Sequence, residues 1–122
     1  MSKMVDGEKN ENLPKIPKQG EFWLVDFNRK QQKEIFKIRP VLILSNNWQN
    51  QYDRYTVGAP LTSDEEGLKN IDPFEVLIGA NKENGLDEKS KILLHRLQAI
   101  DKKERLIRKL GKADTKIWAQ AW

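Results

Sequence analysis

A chain of 122 residues suits one domain around one modest core, and 33% charged against 38% hydrophobic residues makes a polar, soluble composition. A run of about 18 apolar residues is absent, so a transmembrane helix is not expected, and the N-terminus lacks an apolar stretch of signal-peptide type. With no cysteine and one histidine, a disulfide framework, a thiolate metal site and a histidine-rich metal site are excluded. No cofactor is expected, and a reducing cytoplasm is the expected location.

The net charge is +4, unevenly spread. Residues 28–39 carry five cations and one anion, residues 91–112 carry eight cations and two anions, and residues 64–88 carry eight anions and two cations. If the fold joins the two basic blocks they make a phosphate-attracting face; if not, they are an ordinary solvated surface.

Residues 1–18 read as a polar tail ending in two prolines, with the folded domain expected over 19–122. "GEFWLVDF" alternates as a strand, with Phe22, Leu24 and Asp26 on one face and Trp23, Val25 and Phe27 on the other. A basic loop, 28–38, leads to a strand over 40–45 that opens on Pro40, a tolerated first-strand position. "NNWQNQYDR" reads as a polar connection. "YTVGAPLTS" is a third strand, where Gly58 and Pro60 imply a bulge or a curved edge.

An acidic loop, a fourth strand in "PFEVLIG" and a second loop follow. "KILLHRLQAI" is a fifth strand, with Leu93, His95, Leu97 and Ala99 on one side. "DKKERLIRKL" is a strand continuation or a helical turn. "DTKIWAQAW" is a short helix capped by Asp114, with Ile117 and Ala121, and Trp118 and Trp122, at i, i+4. Short strands, long polar loops and a late helix predict a mainly β fold with small helices, a strongly curved antiparallel sheet or barrel.

Arg39 stands at the mouth of the most hydrophobic segment, before Pro40 and the aliphatic run Val41–Leu44. A guanidinium fork matches two phosphate oxygens, and a stiff strand behind it holds the charge in place, as stabilisation of a developing anion requires. The alternative is an arginine that caps a strand and pairs with a carboxylate such as Glu34. Thr62 and Ser63 end the third strand, where hydroxyls donate to phosphate or start the next turn. His95 has the side chain whose ordinary range suits proton transfer near neutrality; its alternative is a half-buried strand histidine. Trp48, Tyr52 and Tyr55 flank the polar connection and offer stacking surfaces for unpaired bases. For Trp48 the expectation is that it closes over a core edge.

In order and spacing, "QGEFWLVDFN", a glutamate five residues before "RPVLILSNN", "APLTS", "PFEVLI", "SKILL" and "AIDKKERL" resemble the MazF/PemK/Kid toxins of bacterial toxin–antitoxin pairs. The resemblance spans residues 19 to about 112 and rests mainly on "GEFWLVDF" and "RPVLILSNN". It implies a small SH3-like barrel with helical additions, a homodimer, and metal-independent cleavage of single-stranded RNA at short sequences. It also implies a cognate antitoxin whose disordered tail blocks the RNA groove, with DNA binding by the pair.

The family's arginine falls on Arg39, its threonine on Thr62 beside Ser63, and its glutamate on Glu34. His95 stands where some relatives carry an aspartate, and with Glu34 it is the candidate for proton transfer. Expected RNA contacts are Asn28, Lys30, Lys33, Lys37, Asn46, Ser63, Arg96 and Gln98. The loop "NRKQQKEI" lacks the proline and glycine usual in the family. Because the gyrase poison CcdB shares this barrel, a protein-binding inhibitor is the alternative from a different class. A catalytically dead RNA-binding barrel is the third reading.

Overall fold

The computed structural model describes residues 15–28 and 37–121. Most of the expected N-terminal tail, the stretch holding Lys30, Lys33 and Glu34, and the Trp122 half of the terminal tryptophan pair lie outside the described residues. Pro17, read as tail, is fully buried, and Lys18 donates its N–H to the Glu21 carboxylate at 2.8 Å.

The alternation in Glu21–Asp26 produces strand β1, and both of its faces are covered. Phe22 joins one core with Leu42, Leu61 and Ile92, while Trp23 and Val25 join a second with Val41, Ile43, Ile100 and Leu106. Full burial of such side chains contributes about 1.5–3 kcal/mol each. Strand β2 (Ile38–Ile43) pairs with β1 and with β3 (Tyr55–Thr62). Strands β4 (Glu75–Ile78), β5 (Ser90–Leu93), β6 (Gln98–Asp101) and β7 (Leu106–Lys112) complete one antiparallel sheet. Its order is β4-β5-β3-β2-β1-β7, with β6 also on β3. The end strands β4 and β7 are not paired with each other, so the expected barrel is a curved sheet that does not close.

Three further expectations are corrected. The third strand is no edge: β3 is bonded to β2 on one side and to β5 and β6 on the other. The single fifth strand is two. In the register of β5, where Leu61 faces Ile92, His95 would face Gly58; Gln98 takes that place instead. The turn between them, closed by the Arg96 N–H to the Leu93 carbonyl at 3.1 Å, carries His95 out of the sheet.

The third correction is helical. The polar connection is helix α1 (Asn47–Tyr52), whose N-cap Asn46 accepts from the Gln49 N–H at 2.8 Å. It shows no apolar stripe because its anchor is polar: buried Asn50 bonds to Ser45 and Thr56. Trp48 does not close over the core; it is 75% exposed, with its ring 4.7 Å from that of Tyr52.

Helix α2 (Glu65–Leu68) is capped by Asp64 and α3 (Lys102–Arg105) by Asp101. In α4 (Thr115–Ala121), Asp114 accepts from the Ile117 N–H at 2.8 Å, and Ile117, Trp118 and Ala121 pack on the first core. Among the described residues no helix is long and apolar enough to cross a membrane.

Candidate functional site

The site is built where the β2–β3 ladder ends. The ladder's last pair is Val41 with Pro60; Arg39 lies two residues beyond it on β2 and Thr62 two residues beyond it on β3. Pro40 contributes no N–H to either neighbouring strand. Beyond this point lies a cavity of about 410 Å³. Arg39, Thr62, Ser63 and Arg108 line it with the carboxylate residues Asp64, Asp87 and Glu88, over an apolar floor that includes Leu24, Leu61, Leu86 and Leu110.

Each wall has a local cause. Thr62 accepts the Asp64 N–H on Oγ1 at 3.4 Å, which leaves its own O–H to donate elsewhere. Asp64 accepts from the Gly67 N–H at 3.3 Å as the cap of α2. Behind α2, buried Lys91 sits opposite Thr62 on β5 and donates to the Glu75 carboxylate and the Gly67 carbonyl, each at 2.9 Å. Lys91 is thereby committed to the scaffold. The Asp72 N–H and then Lys91 hold the Glu75 carboxyl below the usual carboxylate range.

The far wall comes from the β4–β5 loop. Gly85 has φ +69, and a Cβ there would lie 1.9 Å from the Leu110 carbonyl oxygen of β7. Only glycine permits both that backbone angle and that crossing. The crossing is tied down by the Lys112 N–H to the Glu83 carbonyl at 2.9 Å, and it sets Asp87 and Glu88 at the cavity rim.

Electrostatically, the site holds two guanidiniums and three carboxylates. Neither Arg39 nor Arg108 has a hydrogen-bond or ion-pair partner among the described residues. Nearby cations are engaged: Lys109 pairs with Glu21 at 3.1 Å, and Arg105 donates to the carbonyls of Asp26 and Asn28. Burial pushes the Glu21 carboxyl up, but the Trp23 indole, the Lys18 N–H and Lys109 outweigh it and hold the group below its ordinary value.

The remaining sequence candidates are dispersed. His95 is exposed on the β5–β6 turn, its ring 4.3 Å from that of Phe74, and it does not line the cavity. Arg96 donates Nε to His95 Nε2 at 3.1 Å. Gln98 is exposed at the start of β6, and Asn46 is engaged as the α1 cap. Asn28 is buried, and Lys37 is exposed just before β2 with its carbonyl accepting from Phe27. Lys30, Lys33 and Glu34 lie outside the described residues.

Sequence reasoning missed Arg108, Asp64, Asp87 and Glu88. The basic block 91–112 signalled Arg108 only as one of eight cations. Among the described residues no three His, Cys, Asp or Glu side chains are grouped to hold a metal ion.

The profile of the PemK-like, MazF-like toxins of type II toxin–antitoxin systems matches residues 18–121. The chain belongs to this family. A comparison with curated proteins finds no match. Among solved structures, an endoribonuclease from a mycobacterial species is similar at 20% identity and TM-score 0.67, over 89% of this chain and 86% of that one. An endoribonuclease in complex with its cognate antitoxin, also mycobacterial, follows at 21% identity and TM-score 0.66, over 86% of each chain. A MazE–MazF structure from Deinococcus radiodurans matches at 21% identity and TM-score 0.64, over 88% of each chain. At these identities the likeness shows the MazF-type fold.

Proposed function

We propose that this MazF-family chain is the endoribonuclease toxin of its pair, cutting single-stranded RNA at a short sequence without a metal ion. The observation that carries the reading is that Arg39, whose guanidinium has no partner among the described residues, lines one cavity together with Thr62. A phosphate seated there meets a fixed cation and an O–H donor, the arrangement that stabilises an oxyanion as charge develops. The RNA 2′-oxygen attacks the adjacent phosphorus; the new 2′-O–P bond forms as the P–O5′ bond breaks. The 2′-proton passes to a base and the departing 5′-oxygen takes one up. The products are a 2′,3′-cyclic phosphate and a 5′-hydroxyl, with no further co-reactant.

His95 does not line the cavity, so among the described residues the proton acceptors at hand in it are the carboxylates of Asp64, Asp87 and Glu88. The partners of this reading are single-stranded RNA, a second copy of the chain and a cognate antitoxin, all in the cytoplasm. The related structure solved with its antitoxin supports the last of these.

The test is a long mixed-sequence RNA incubated in excess EDTA with the wild type and with Arg39→Ala, followed by mapping of the 5′ ends. Cuts at one short sequence with 5′-hydroxyl ends, lost in Arg39→Ala, are the expected outcome. Intact RNA with folded wild-type protein overturns the reading, and RNA retention without cleavage assigns the chain to binding alone.

A further inference from the structure

We infer that Arg108 is a second phosphate-binding residue of this site, holding the phosphate next to the one at Arg39. The inference rests on the ribonuclease reading above. Arg108 faces Leu24 across the β1–β7 ladder, and Leu24 faces Pro40 across β1–β2. Residues directly opposite in antiparallel strands project to the same face, so Pro40, Leu24 and Arg108 form one row. The row spans two strand spacings, about 10 Å. Arg39, paired with Val25, leaves β2 from the other face than Pro40, and Arg108 stands beside the register shift between Leu24 and Val25. A bulge of this kind re-aims side chains, and here both arginines line the same cavity.

Three further facts favour an anion on Arg108. Its guanidinium has no partner among the described residues, although other cations of the same block, Lys91, Arg105 and Lys109, are engaged with carboxylates or carbonyls. The Thr62 and Ser63 hydroxyls share the lining and donate to phosphate oxygens, against the opposing charge of the Asp64, Asp87 and Glu88 carboxylates. Leu24 and Pro40 also line the cavity, and this apolar surface suits a sugar or base edge rather than a third charge. A strand that places its scissile phosphate at Arg39 therefore runs through this cavity, with a neighbouring phosphate at Arg108.

The experiment measures affinity against salt. The probe is a short RNA spanning a mapped cut, with a 2′-deoxy nucleotide at the cut position so that it binds without being cleaved. Each phosphate contact on a single strand contributes about 0.7 to the slope of log K against log salt. Arg108→Gln is expected to lower that slope by about this amount and to weaken binding to different RNA sequences alike, whereas Arg108→Lys keeps the slope. In cleavage, Arg108→Gln is expected to raise KM with kcat within about threefold, the pattern of lost uniform binding.

An unchanged slope in a folded Arg108→Gln protein, with wild-type cleavage intact, overturns this inference and leaves the ribonuclease reading standing. Loss of kcat at unchanged KM also overturns it, by giving Arg108 a role in the chemical step. If the wild type cuts nothing, the titration is run with mixed-sequence RNA. A slope unchanged by Arg108→Gln, or no binding by the wild type, then overturns the inference, while the failed cleavage by itself overturns the ribonuclease reading.

Discussion

Arg39 and Thr62 each lie two residues beyond the Val41–Pro60 pair that ends the β2–β3 ladder, and both line the same cavity. A cation and a hydroxyl so placed act on whatever anion enters between them. Arg39→Ala is expected to lower kcat for RNA cleavage by about 10²–10³, as for loss of a preorganised donor to an oxyanion. Arg39→Lys should recover only part, because an ammonium lacks the planar fork. Thr62→Val is expected to cost about tenfold, the worth of one hydrogen bond to a charged group. Single-turnover rates with melting temperatures for each variant check this; a fully active Arg39→Ala would end the assignment.

His95 offers a sharper contrast. A general base or acid contributes about 10²–10⁴ in rate. Because the residue stands on the β5–β6 turn against Phe74 and outside the cavity lining, His95→Ala is expected to keep kcat within about threefold of wild type. A hundredfold loss in a folded protein would return proton transfer to His95. Glu88→Gln and Asp64→Asn, made in parallel, report whether a cavity carboxylate takes the proton.

Gly85 ties the acidic wall to β7. With φ +69 and the Leu110 carbonyl 1.9 Å from an added Cβ, alanine there has neither the backbone angle nor the room. Gly85→Ala is expected to destabilise the fold by at least about 2 kcal/mol, or roughly 5–10 °C in Tm. Cleavage should fall as well, since the loop carries Asp87 and Glu88. A thermal melt at unchanged Tm would show that the crossing is not close in solution.

The Lys91–Glu75 pair links β5 to β4, and Lys91 also holds the loop behind the site through the Gly67 carbonyl. The Glu75 carboxyl is held below its ordinary 4.5 by the Asp72 N–H and then Lys91. A carboxyl depressed in the folded state contributes stability above its unfolded value and loses it as pH falls through the folded value. The wild type should therefore exceed Glu75→Gln in Tm most clearly at neutral pH, and the gap should close as pH drops below 4.5. Melts across pH read this directly; a gap that widens in acid would contradict the assigned direction.

Arg39 before Pro40, the alternation around Phe22 and Trp23, and the Asp114 cap were legible because each depends on neighbours within four residues in the chain. Helix α1 was not, because its anchor Asn50 is satisfied by Ser45 and Thr56 rather than by an apolar face. The break after Leu93 was hidden for a different reason. The strand pattern runs on without interruption through His95, and only β3 chooses to pair Gln98 with Gly58.

By itself, then, the sequence determined the family, the mainly β class and the cation at the strand mouth, since these are written in local alternation and in an ordered set of motifs. The tertiary structure alone decided that the sheet stays open, that His95 leaves it, and that Arg108 and Arg39 line one cavity. Register between strands far apart in the chain is settled by which faces can be buried together, and a shift of a single residue reverses every side chain on a strand.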